Sequence, residues 1–186
     1  MTLIVQQLLA YSRRHTPMKK RTDVRICIDR VLTVLRPVAE EKGVRFSVLG
    51  KDLKHEVNAD SNQIEQVLTN LVMNSIQAMP DGGIVELSIE KDRVVPTTDK
   101  GGEAENYVLL KVRDEGVGIT EEALEHIFEP FYTTKGSSQG TGLGLSIAND
   151  IVQDHGGWIV AESEPGRGTC FSIYLPMEAK QCSAVS

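Results

Sequence analysis

The segment FEPFYTTKGSSQGTGLGLS, residues 128–146, sets Gly140, Gly142 and Gly144 at alternate positions directly ahead of a helical pattern, LSIANDIVQDHGG. Alternating glycines free the backbone and clear side chains from the approach to a ligand. The helix that follows presents unpaired N–H groups and the positive end of its dipole, which together suit an anion such as a phosphate. Two common phosphate-binding designs are excluded by the spacing. A P-loop needs Gly-Lys-Ser/Thr, and the dinucleotide turn needs Gly-x-Gly-x-x-Gly after a strand. Lys135 and the hydroxyls of Thr133, Thr134 and Thr141 add charge and donors to the same stretch. A segment this rich in glycine and serine has the make-up of an active-site lid.

The rest of the chain must supply a scaffold for such a loop. TDVRICIDRVLTVLRPVAEEKG reads as a helix capped by Thr22 or Asp23 and stopped by Gly43. VRFSVLG and HEVNA read as short strands, and DSNQIEQVLTNLVMNSIQAM as a long helix capped by Asp60, with Gln63 placed for a capping box. IVELSIEK and NYVLLKVRD predict a hairpin with a long polar tip, and TEEALEHIF a short helix. WIVAESE and GTCFSIYLP predict paired strands around a PGRG turn. Helices and strands come in blocks rather than in strict βαβ alternation, so a mixed sheet covered on one face by helices is expected.

Charge and cysteine usage narrow the function. The net charge of −6 is uneven: Arg13, Arg14, Lys19, Lys20, Arg21 and Arg25 meet a single acid, Asp23, before Ile26, and the remainder is strongly acidic. An acidic body disfavours nucleic-acid binding, and the basic segment from Arg13 to Arg25 reads as a solvated linker. Cys27, Cys170 and Cys182 form no CxxC pair, and His15, His55, His126 and His155 show no metal-ligand spacing. No apolar run reaches membrane-spanning length and the opening MTLIVQQLLAYSRR lacks the order of a secretory signal, so a cytoplasmic location without direct membrane contact is expected.

Two further patterns carry chemistry. On the helix from Asp60 to Met79, the residues Ile64, Val67, Leu68, Leu71, Val72 and Met79 form an apolar face, and Gln66, Asn70, Asn74 and Gln77 form a second, amide-bearing stripe. Asparagine is a poor helix former, and an amide oxygen is a hard neutral ligand suited to Mg²⁺. In DEGVGI, Asp114 ends a strand and Gly116 and Gly118 leave room beside it. A carboxylate there can accept a hydrogen bond from the exocyclic amine of adenine, where guanine presents an oxygen.

In order along the chain, NQIEQVLTNLVMNSIQAMPDGG, DEGVGI, FEPFYTTK, GTGLGLS and GRGTCF resemble the N box, first glycine box, F box, second glycine box and last glycine-rich turn of bacterial sensor histidine kinases. The wording of NSIQAMPDGG and FEPFYTTK is most similar to kinases of the nitrogen-regulation and oxygen-sensing type. The resemblance implies an α+β, two-layer Bergerat fold: a mixed sheet of about five strands under three helices, with an N-terminal helical extension. It implies ATP and Mg²⁺ as cofactors, with Asn74 as the metal ligand, Asn70 near the phosphates and Asp114 as the adenine reader beside Gly116 and Gly118. It further implies a phosphate contact from Lys135, a lid built on Gly140, Thr141, Gly142, Leu143 and Gly144, and a contact near adenine from Thr169. Phe128 and Phe131 are expected to anchor the lid by packing, and Gln77 stands where the family often has a basic residue.

Two departures from the wider superfamily bear on activity. The hydrolytic relatives place a glutamate where this chain has Asn70, and a neutral amide is no general base, so fast ATP hydrolysis is not expected. No HExxxP phospho-acceptor motif occurs, and His15 is followed by Thr16 and Pro17. Residues 1–21 are therefore expected to be the remnant of a dimerisation and phosphotransfer helix with its linker, 22–177 the catalytic domain, and 178–186 a tail. The expected function is transfer of the γ-phosphate of Mg-ATP to a histidine on that separate domain, and through it to a response regulator. The full-length protein is expected to be a homodimer and this fragment a monomer. A serine kinase of the anti-sigma type and a nucleotide-dependent interaction module remain the alternatives.

Overall fold

The computed structural model describes residues 17–50, 55–95, 104–134 and 141–177. Strands β1 (Lys20–Asp23), β2 (Val44–Leu49), β3 (Glu56–Ala59), β4 (Gly83–Val94), β5 (Glu105–Asp114), β6 (Trp158–Glu164) and β7 (Gly168–Pro176) are joined by helices α1 (Val24–Glu41), α2 (Ser61–Ala78), α3 (Glu121–Leu124) and α4 (Gly144–Asp154). The main sheet has five strands in the order β2-β4-β5-β7-β6. Among the described residues only the β2–β4 pair of this sheet is parallel; the other neighbours are antiparallel, so the sheet is mixed as the block order predicts.

Strand alternation sorts the two faces. Val85, Leu87 and Ile89 of β4, Val108, Leu110 and Val112 of β5, and Phe171, Ile173 and Leu175 of β7 point to one side and share a core with Leu32, Leu68, Leu71, Val72 and Val152 from the helices. Among the intervening residues Glu86, Ser88, Glu90, Lys111 and Ser172 carry polar groups, and Lys111 bonds Glu90 across the β4–β5 pair at 2.8 Å. The apolar stripe expected on the long helix is buried throughout, with Leu68, Leu71 and Val72 at 0% exposure. Truncating any of these leucines to alanine costs about 2–5 kcal/mol by the usual cavity penalty.

Several boundaries differ from the sequence reading. The basic stretch read as a solvated linker passes through a strand into the start of α1: Lys20–Asp23 pairs antiparallel with Glu56–Ala59 as a separate two-stranded sheet, and Arg21 Nε donates to Glu56 at 2.8 Å. Four residues are too few for periodicity to reveal, and the pairing partner lies far along the chain. Asp23 is the cap of α1, accepting from the Arg25 N–H, and Gly43 ends that helix at φ +68°. Asp60 caps α2 through the Asn62 N–H, but the reciprocal bond from Gln63 is absent. The Asp60 N–H is already donated to His155 Nε2 at 3.0 Å, so a long-range partner displaces the local one. The TEEALEHIF helix is cut to one turn, because the chain continues in three-residue turns with His126 N–H on Ala123 O and Glu129 N–H on His126 O. The expected N-terminal helical extension and the tail from residue 178 lie outside the described residues.

Candidate functional site

Asp114 closes the buried row Val108, Leu110, Val112 of β5, so the strand's own alternation turns its carboxylate inward, where it is 2% exposed. Among the described residues three protein donors meet it. Oδ1 accepts from the Gly116 N–H at 3.0 Å and the Thr169 N–H at 3.2 Å, and Oδ2 accepts from Ser75 Oγ at 2.8 Å. Ser75 belongs to α2 and is fully buried, which ties the strand end to the amide-bearing helix.

The loop after β5 is held to α2 and to the end of β6. The Val117 N–H donates to Ala78 O at 3.0 Å, and the Ile119 N–H to Ser163 Oγ at 2.8 Å. A Cβ on Gly116 would lie 2.7 Å from both the Cβ and the carbonyl oxygen of Ala78, so only glycine permits this approach. Thr169 stands beside Asp114 with its Oγ1 2.9 Å from Ser163 Oγ.

The opposite wall is the start of α4. Its cap residue Leu143 is buried and makes no side-chain cap, which leaves the first-turn N–H groups without intrahelical partners. Asn70 of α2 donates from Nδ2 to Gly144 O at 2.9 Å and so joins the two helices. Its Oδ1 remains as an acceptor. Asn74, one turn on, is half-buried with no side-chain hydrogen bond among the described residues, and Gln77 is exposed. Gly142, at φ +67°, accepts at its carbonyl from the Phe131 N–H at 2.9 Å.

The structure thus brings together Asn70, Asn74, Asp114, Gly116, Gly118, Leu143, Gly144 and Thr169, while Lys135 and Gly140 lie outside the described residues. One expectation needs correction. Phe128 packs against the core, but Phe131 is 64% exposed and adopts φ +68°, so it anchors its segment through the backbone rather than by ring packing. Sequence reasoning also missed Ser75 and Ser163. Ser75 had a signal: it is the polar member of the otherwise apolar face formed by Leu68, Leu71, Val72 and Met79. Ser163 had none, because its partners are Gly168 and Thr169 across a strand turn and Ile119 in a remote loop.

A mixed sheet under helices, with a buried carboxylate at a strand end, an amide-bearing helix and an open helix N-terminus, defines an ATP-binding domain of the Bergerat type. The chain belongs to the family described as histidine kinase-, DNA gyrase B-, and HSP90-like ATPase, whose profile matches residues 59–179. Sensor kinase CckA of Brucella abortus (strain 2308) is 41% identical, with 93% of this chain and 18% of that protein covered. Sporulation kinase A of Bacillus subtilis (strain 168) is 35% identical, with 94% and 27% covered, so the chain spans a minor part of the length of these relatives. The solved catalytic domain of histidine kinase ThkA matches with a TM-score of 0.70 at 32% identity, covering 85% of this chain and 95% of that one. Full-length ShkA in complex with AMPPNP has the same fold, with a TM-score of 0.74 at 24% identity over 95% of this chain and 36% of that one.

Proposed function

We propose that this domain binds Mg-ATP between α2, the end of β5 and the start of α4, and presents the γ-phosphate to a histidine on a separate dimerisation and phosphotransfer domain. The observation that carries the reading is the Asp114 carboxylate, buried at the strand end with an acceptor position still open. Adenine's exocyclic amine supplies the matching donor. The triphosphate then runs toward the first turn of α4, whose free N–H groups and dipole favour it.

Asn74 fits a metal: its amide oxygen is a hard ligand, it is not spent on a protein partner, and it faces the same side as Asn70. Mg²⁺ bound there would neutralise phosphate charge during transfer. Asn70 fixes the spacing of α2 and α4 and supplies no base for water, which favours transfer over hydrolysis. By the sequence pattern, Lys135 adds a phosphate contact. The longer protein would act as a homodimeric sensor kinase in the cytoplasm, passing phosphate to a response regulator. Among the described residues no helix is long and apolar enough to cross a membrane.

Incubation of the chain with radiolabelled ATP, Mg²⁺ and a dimerisation domain taken from a related kinase tests this. Acid-labile label on that domain's histidine is expected. Acid-stable label would point to serine transfer, and nucleotide binding without any transfer to an interaction module; either overturns the proposal.

A further inference from the structure

The hydrogen bonds around Asp114 leave little of its carboxylate unassigned. An ionised carboxylate offers about four in-plane acceptor positions, two on each oxygen. Oδ1 uses both of its positions on the N–H groups of Gly116 and Thr169. Oδ2 uses one on Ser75, whose only hydroxyl hydrogen is thereby spent. One acceptor position, on Oδ2, is left for a ligand, and its direction is fixed by where Ser75 stands.

The neighbouring hydroxyls have the same polarity. Ser163 Oγ lies 2.8 Å from the Gly168 carbonyl, which cannot donate, so the Ser163 hydrogen goes there. The bond between Ser163 and Thr169 at 2.9 Å must then run from Thr169 to Ser163. Thr169 is left, like Asp114, able only to accept.

We propose that Ser75 is a positioning residue for base selection. By holding Oδ2 it aims the one remaining acceptor position of Asp114, in a pocket floor from which the hydroxyl hydrogens of Ser75, Ser163 and Thr169 have been withdrawn. Such a floor takes a base edge that donates, an amine, and rejects one that presents a carbonyl oxygen. The inference rests on the nucleotide reading above and adds to it the residue that orients the reader. Ser75 sits at 0% exposure behind the carboxylate and acts through it without touching nucleotide.

The test compares ATP, GTP and the triphosphate of unsubstituted purine, which lacks the amine, by titration calorimetry on the unaltered chain and on Ser75→Ala. The unaltered chain should prefer ATP over both. In Ser75→Ala the ATP affinity should fall about tenfold, the loss of one oriented hydrogen bond to a charged group, while the affinity for the amine-free nucleotide stays level. A merely structural role would weaken both nucleotides together, and that parallel loss, or an unchanged ATP preference, overturns the role of Ser75. Ser75→Cys, closer in size and a poor donor, should behave as Ser75→Ala does and serves if the alanine variant does not fold. If the unaltered chain binds none of the three, the nucleotide reading itself falls, and this inference with it.

Discussion

Phe131 and Gly142 are joined backbone to backbone, the Phe131 N–H donating to the Gly142 carbonyl at 2.9 Å while both residues hold positive φ, +68° and +67°. This bond ties the segment after the one-turn helix α3 to the entrance of α4. A Cβ on Gly142 would come within 2.6 Å of the Phe131 carbonyl oxygen, in addition to the backbone strain of a side chain at this φ. Gly142→Ala is therefore expected to cost about 1–3 kcal/mol and to displace the start of α4. Chemical denaturation should show a lower midpoint at unchanged slope, with phosphotransfer slowed as well. An unaltered midpoint would mean that the contact yields without cost.

Asp114→Asn keeps the size of the side chain and one oxygen. That oxygen is claimed by Gly116 and Thr169, so the amide NH₂ must face Ser75, whose hydroxyl can turn to accept from it, and the ligand amine, where donor meets donor. ATP affinity should drop by about 2 kcal/mol, roughly thirtyfold, with far less effect on GTP. Calorimetry returning equal losses for both nucleotides would remove Asp114 from base recognition.

Asn74→Ala removes a half-buried amide that makes no side-chain hydrogen bond among the described residues, so the fold should be nearly unaffected. Nucleotide binding should lose its dependence on Mg²⁺ while metal-free binding persists. Titrations with and without a chelator measure this. A variant that keeps the full Mg²⁺ dependence would place the metal on other ligands.

His155 makes folding sensitive to pH. Buried at the end of α4, it donates from Nδ1 to Ile151 O at 2.7 Å and accepts at Nε2 from the Asp60 N–H at 3.0 Å, a pairing that only the neutral ring satisfies. Burial pushes its pKa below the usual 6.5, and the nearby Lys19 ammonium acts in the same direction. The unfolded chain therefore takes up this proton first. The stability contributed by neutral His155 is complete above about pH 6.5 and is lost as the pH falls, with a slope of up to about 1.4 kcal/mol per unit. His126, raised by the Glu129 carboxylate, is exposed and works in the opposite sense. Thermal unfolding followed from pH 7.5 to 5 should show a midpoint that falls less steeply for His155→Gln than for the unaltered chain. Parallel curves would exclude His155 as the cause.

The sequence by itself determined what depends on neighbours along the chain. The apolar stripe from Ile64 to Met79 follows from helical periodicity, the inward row ending at Asp114 from strand alternation, and the stop at Gly43 from a positive φ that glycine adopts freely. Asn70, Asn74 and Asp114 stood out because amides on a helix and a carboxylate at a strand end break the pattern around them. Tertiary structure decided the rest. Lys20–Asp23 is a strand only because Glu56–Ala59 lies beside it, and Gln63 leaves the Asp60 N–H to His155 because α4 ends there. The direction of the open acceptor on Asp114 depends on Ser75, Gly116 and Thr169, which arrive from a helix, a loop and another strand. Hydrogen bonds between residues far apart in the chain leave no periodic trace, since each depends on how whole elements pack rather than on the residues next in sequence.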